Sequence, residues 1–208
     1  MSLMLMAVCT MAALAVQGAE EVVSQPEGLK PIGEAKGIHP GRVVWVHDPE
    51  VLDWKGPGDG HWWEPTHTRQ QQADAMMARA VCDLTGERTV ATAWDKLFRH
   101  LNKTRGKGNV GYRAGEKVAI KPNWVGFIWR GGAVDPETYS LTRQQDYMNT
   151  SPQMIVALLR QLVEVGIKER DITVCDTLAD LPNEYYNILH AAFPDVQYAD
   201  HGGKFGRV

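Results

Sequence analysis

Cysteine is scarce in this chain: Cys9, Cys82 and Cys175 are the three present in 208 residues. A set of four thiolate ligands for an iron-sulfur cluster cannot be built from them. Cys82 and Cys175 sit in apolar contexts typical of buried free thiols, and in an oxidising compartment a bridge between them is the alternative. Excess charge of either sign is also lacking, with 22 Lys and Arg against 25 Asp and Glu, a formal net charge of -3. No basic stripe interleaved with aromatics stands out, so nothing concentrates a phosphate backbone and nucleic acid is excluded as a partner class. Long apolar runs are missing after Val16, whereas a membrane-spanning helix needs about 20 such residues. Lys and Arg are absent before Lys30.

That uncharged start has a reading of its own. Residues 1–19 contain the apolar run from Leu3 to Val16 and end in small residues around Ala13-Leu14-Ala15, like a secretory leader with its cleavage region. The expectation is export to a periplasmic or extracellular space, with no stable membrane span once the leader is removed. Residues 20–41, rich in Gly, Pro and Glu, read as a linker, and residues 42–208 as the folded domain. Apolar residues at 44% and charged residues at 23% are ordinary for a chain that buries a core.

Periodicity supplies the elements. Arg42 to His47, Lys117 to Lys121, Ile172 to Cys175 and Val196 to Tyr198 are compact, β-branched or aromatic runs that predict strands. Helices are predicted from Arg69 to Leu84, from Thr89 to Asn102, from Pro152 to Val165 and from Asn183 to Ala192. Ser151 followed by Pro152 is a capping side chain with proline at the first helical position. Alternation of these elements predicts an α/β fold, a mostly parallel sheet flanked by helices, and an incomplete domain. Long loops at 48–68 and 124–149 hold Trp62, Trp63, Trp124 and Trp129, placed there either as a cover over a pocket or as core.

The apolar runs share a further property: each ends on polar residues, His47 and Asp48, Lys121 and Asn123, Asp176 and Thr177, Asp200 and His201. In a parallel sheet ligands bind outside the carboxyl ends of the strands, which puts the candidate site there. Lys121 offers a cation, Asn123 an amide that both donates and accepts, and the helix start at Thr150 and Ser151 adds backbone donors. With Asp176 and Thr177 these residues form a candidate site for a small anionic ligand. His47, His61 and His67, near Asp48 and Glu64, are candidate ligands of a divalent metal, although their spacing is not that of a helical zinc motif. Gly106-Lys107-Gly108-Asn109-Val110-Gly111 satisfies a dinucleotide fingerprint by letter, but it follows a helix and precedes a strand, the reverse of the order that fingerprint requires.

Three segments together carry a resemblance: Gly115-Glu-Lys-Val-Ala-Ile-Lys-Pro-Asn123, Thr150-Ser-Pro152 with its helix ending at Glu164-Val-Gly166, and Ile172-Thr-Val-Cys-Asp176-Thr177. The combination resembles the family catalogued as domain of unknown function 362, with Cys175 and Thr177 where that family usually has Gly and Ser. A later Pro-Lys-x-Lys-x-His pattern of the family has no counterpart before Val208, so the likeness is to its N-terminal half. It implies an α/β fold and an exported or redox-associated setting with a redox protein as partner. Two function classes follow: a redox- or metal-associated enzyme binding an anionic ligand at the strand ends, or a non-catalytic binding protein that uses its aromatic loops.

Overall fold

A computed structural model describes residues 33–144 and 149–208. The leader, Cys9 and most of the linker lie outside the described residues. The body from Ala35 to Val208 is an α/β unit with four helices and a three-stranded, all-parallel sheet. No helix among the described residues is long and apolar enough to cross a membrane.

The chain first lays down two helices, α1 (Gln70–Thr85) and α2 (Val90–Thr104). Gly86 ends α1 in the left-handed conformation, φ 73°, and its N–H closes onto the Cys82 carbonyl at 2.8 Å. Thr89 starts α2, its hydroxyl accepting from the Thr92 N–H at 3.2 Å. Strand β1 (Val118–Ile120) follows and stops before Pro122. Helix α3 (Pro152–Glu164) then begins as the sequence predicts, with the Ser151 hydroxyl accepting from the Met154 N–H at 3.2 Å. Strand β2 (Ile172–Cys175), helix α4 (Asn183–Ala192) and strand β3 (Gln197–Ala199) complete the order.

The sheet runs β1-β2-β3, so each crossover joins spatial neighbours. Val118 pairs with Ile172 and Ile120 with Val174; Val174 in turn pairs with Tyr198 and Cys175 with Ala199. Helix α3 connects β1 to β2 and supplies much of the core: Ile155, Val156, Leu159 and Leu162 are buried with Ile172, Val174, Leu189 and Tyr198. Helix α1 packs on α3, and α2 reaches it through the Trp94 indole N–H, which donates to the Gln161 side-chain oxygen at 3.0 Å. Two of the loop tryptophans, Trp63 and Trp124, are core residues.

One expected strand is absent. Arg42 to His47 is not part of the sheet, and no strand partner faces it among the described residues. Strand propensity reports how a side chain fits a pleated, half-buried surface, and here that surface is not provided. Val43 and Trp45 instead stand in solvent. The last strand starts one residue later than predicted, at Gln197. Cys82 and Cys175 are free thiols, which removes the disulfide alternative.

The core position of α3 has a measurable consequence. Leu159→Ala, at a fully buried site, is expected to lower unfolding free energy by about 2–5 kcal/mol. Leu178→Ala, on the surface, is expected to change it by less than about 0.5 kcal/mol. Urea unfolding followed by circular dichroism reads both.

Candidate functional site

Parallel pairing of β1 with β2 sends both chains out at the same edge, and the residues after each strand meet there. The Asp176 carboxylate is the junction. Its Oδ2 accepts from Lys121 Nζ at 3.0 Å and from the Trp124 backbone N–H at 3.3 Å, while Oδ1 accepts from the Leu178 N–H at 3.3 Å. The Asp176 N–H in turn donates to the Ala199 carbonyl of β3 at 3.2 Å. Asp176 is buried, whereas the Lys121 side chain is 66% exposed.

Lys121 Nζ spends a second N–H on the Pro122 carbonyl at 3.0 Å, which leaves its third donor without a partner among the described residues. Asn123 is clasped by its backbone: its N–H donates to the Thr150 hydroxyl at 3.0 Å, and its carbonyl accepts from the Thr150 N–H at 2.9 Å. Its amide side chain is exposed. Ser151 is buried and its hydroxyl is occupied as the α3 cap; Thr177 is exposed. The structure therefore brings Lys121, Asn123, Thr150, Ser151, Asp176 and Thr177 to one edge and divides their duties. Thr150, Ser151 and Asp176 hold the backbone, and Lys121, Asn123 and Thr177 face outward.

Around this polar edge lies an apolar shelf. Residues 127–129 run beside 178–180, with the Asp180 N–H donating to the Phe127 carbonyl at 3.0 Å and the Trp129 N–H to the Leu178 carbonyl at 3.2 Å. Val125, Ile128, Trp129 and Leu178 are exposed there. His201 stacks on Trp129 with ring centroids 4.5 Å apart and planes 8° from parallel, and the Arg130 guanidinium lies 4.3 Å over the same indole. Two hollows lie elsewhere in the molecule. One of about 610 Å³ runs along α2 past Ile38, Leu84, Leu97 and Leu101, and one of about 370 Å³ separates Trp94 and Phe98 from the end of α3.

The three histidines do not assemble. His47 stacks on Trp45, His61 stacks on Trp63 with centroids 4.7 Å apart, and His67 Nδ1 lies 3.0 Å from the Asp53 carbonyl. No group of three or more His, Cys, Asp or Glu side chains able to hold a metal ion occurs among the described residues. His47, His61 and His67 each make their own local loop contacts and belong to no such group among the described residues.

Comparison with family models, with curated proteins and with solved structures returned no match to this chain. The site rests on its geometry.

A second polar cluster lies beyond β2 and β3, and sequence reasoning reached only Asp200 and His201 of it. Asp200 accepts from the Leu181 N–H at 2.9 Å and the Gly203 N–H at 2.7 Å. Arg207 is buried; its Nη2 donates to the Leu181 carbonyl at 2.8 Å and to Asn183 Oδ1 at 2.9 Å, and its guanidinium lies 4.0 Å over the Tyr186 ring. Burial pulls that guanidinium below its ordinary value, with Asp200 acting against the shift. Asp180 is buried near Asp200, and desolvation followed by repulsion from Asp200 holds its carboxyl above the usual carboxylate range. Tyr139, at φ 59°, is buried beside them, and its hydroxyl has no hydrogen-bond partner among the described residues. Burial first, then the charges of Asp200 and Asp180, pushes its phenol up. No spacing marked these residues, since the cluster joins segments about 60 positions apart; the Gly202-Gly203 pair was the one local hint of a tight approach.

Because the Asp180 carboxyl binds its proton more tightly in the folded protein, its protonated form favours folding. Its contribution is fully present below the ordinary value of 3.8 and is lost as pH rises through the higher folded value. Asp180→Asn is therefore expected to melt at a higher temperature than the parent at neutral pH. The difference should vanish at the acid end of a series of melts across pH.

Proposed function

We propose that this chain binds a small anionic ligand at the carboxyl edge of β1 and β2. The observation that carries the reading is the ammonium of Lys121, exposed and anchored by the buried Asp176, with a donor to spare two residues before the exposed Asn123. A carboxylate or phosphate is the complement of that donor pair. Anchoring matters because a lysine already held in one rotamer loses less freedom when it binds. The segments that carry the resemblance to domain of unknown function 362, Lys121-Pro-Asn123, Thr150-Ser-Pro152 and Asp176-Thr177, are the segments that meet at this edge. The exposed shelf of Val125, Ile128, Trp129 and Leu178 favours a ligand with an apolar body as well as an anionic group.

A second reading takes the shelf itself as the functional surface. Apolar side chains exposed next to one another mark contact sites on proteins, and here they sit on the loops that leave β1 and β2. On this reading the partner is a protein and the polar residues satisfy the backbone.

Titration calorimetry with inorganic phosphate, malonate and benzoate separates the two. Anion binding is expected in the parent, with benzoate gaining from the shelf. Asn123→Asp, which sets a negative charge at an exposed position, should weaken it by about two- to fivefold, the scale of one exposed charge pair. That variant should melt as the parent does. Lys121→Gln should weaken binding further and also lower the melting temperature, since it takes a donor from buried Asp176. Equal affinity of all three proteins for these anions would overturn the anionic reading.

A further inference from the structure

The segment Arg42–His47 has the composition of a strand and, among the described residues, none of a strand's partners. Val43 is 89% and Trp45 82% exposed, the most open of the large apolar side chains among the described residues. Exposure alternates along the segment, with Val43, Trp45 and His47 turned out and Val44 and Val46 half-buried, which is the period of extended chain. Trp45 and His47, two apart, stack with planes 3° from parallel and centroids 5.5 Å apart, so they share a face. The backbone N–H and C=O groups from Val43 to His47 make no hydrogen bond among the described residues. Folded proteins commonly protect such an edge with lysine, proline or a bulge, and no such device occurs between Val43 and His47.

The segment is complementary to itself. Laid antiparallel on a second copy about Trp45, it sets Trp45 against Trp45, Val44 against Val46 and Val43 against His47. The same register brings Arg42 of each copy opposite Asp48 of the other, so the charged ends attract while the apolar centres meet. Arg42 is exposed and already fixed in direction, its Nη1 donating to the Asp83 carbonyl at 3.1 Å near the end of α1. Leu84, the next residue, lines the hollow of about 610 Å³ along α2, so the apolar surface continues beyond the strand itself.

We propose that Arg42–His47 is a dimerisation strand, which pairs antiparallel with the same segment of a second copy of this chain about Trp45. A two-fold axis through Trp45 uses the same segment on both copies, and with Trp45–Trp45 as the non-hydrogen-bonded pair the Val44 and Val46 backbones exchange the ladder bonds. The proposal stands apart from the anion-binding edge and draws on none of its residues.

Sedimentation equilibrium of the full chain is expected to show a concentration-dependent monomer–dimer equilibrium. Val44→Pro removes a ladder donor and Trp45→Asp removes the central aromatic pair, and each should raise the dissociation constant at least about tenfold without altering the circular dichroism spectrum. Arg42→Asp alone and Asp48→Arg alone should each weaken the dimer, and the two together should restore it. In a chain carrying Cys9→Ser, Cys82→Ser and Cys175→Ser, Trp45→Cys should cross-link to itself under mild oxidation, since directly paired antiparallel residues lie about 4.5–5.5 Å apart at Cα. Val46→Cys should not, because its opposite is Val44. A monomer at every concentration reached would overturn the proposal. So would a dimer indifferent to Val44→Pro and Trp45→Asp, or a monomer whose amides at 43–47 are protected from exchange by another part of the same chain.

Discussion

A buried carboxylate sets the geometry of the strand ends. Asp176 receives the Lys121 ammonium from beyond β1, the Trp124 N–H from the loop that follows, and the Leu178 N–H from its own turn. It thereby ties two chain exits to one point, and its own N–H adds the neighbouring strand β3. Removing a carboxylate's hydration costs several kcal/mol unless charge and donors replace it, and this residue collects both. The loop from Pro122 to Gly131 leaves the sheet under that constraint, which is why Trp124 turns into the core and Trp129 emerges at the surface.

The helices were legible because what specifies them is local. Thr89, Ser151-Pro152 and Gly86 mark ends through caps and backbone preference, and the apolar spacing between them needs no knowledge of the rest of the chain. The crossover from β1 through α3 to β2 follows from the same signals, and with it the meeting of Lys121, Asn123 and Asp176. Strand identity is different. Lys117–Lys121 and Arg42–His47 look alike as strings of residues, yet one finds a ladder and the other does not, because pairing is decided by neighbours distant in sequence.

The division of labour at the site was not legible for a related reason. Thr150 and Ser151 are polar residues at a helix start, and the sequence cannot say whether their hydroxyls face a ligand or serve the backbone. The structure spends both on the backbone. Of the cluster of Tyr139, Asp180, Asp200 and Arg207 only Asp200 was legible, as a strand-end residue, since the others stand in no motif and only the folded chain brings them together. His61 and His67 illustrate the converse: close in sequence, they are drawn to different loop partners, Trp63 and the Asp53 carbonyl.

The stack beside the site constrains what can meet it. His201 lies parallel to the Trp129 ring with centroids 4.5 Å apart and the Arg130 guanidinium lies 4.3 Å over the same ring, so two planar groups of this chain already stack on the indole. Stacking occupies ring surface and spares the rim, where an aromatic ring carries its positive edge and an indole its N–H. An incoming group therefore meets a hydrogen-bond donor and an electropositive border in place of a stacking plane, and an oxygen acceptor fits that border better than another ring does.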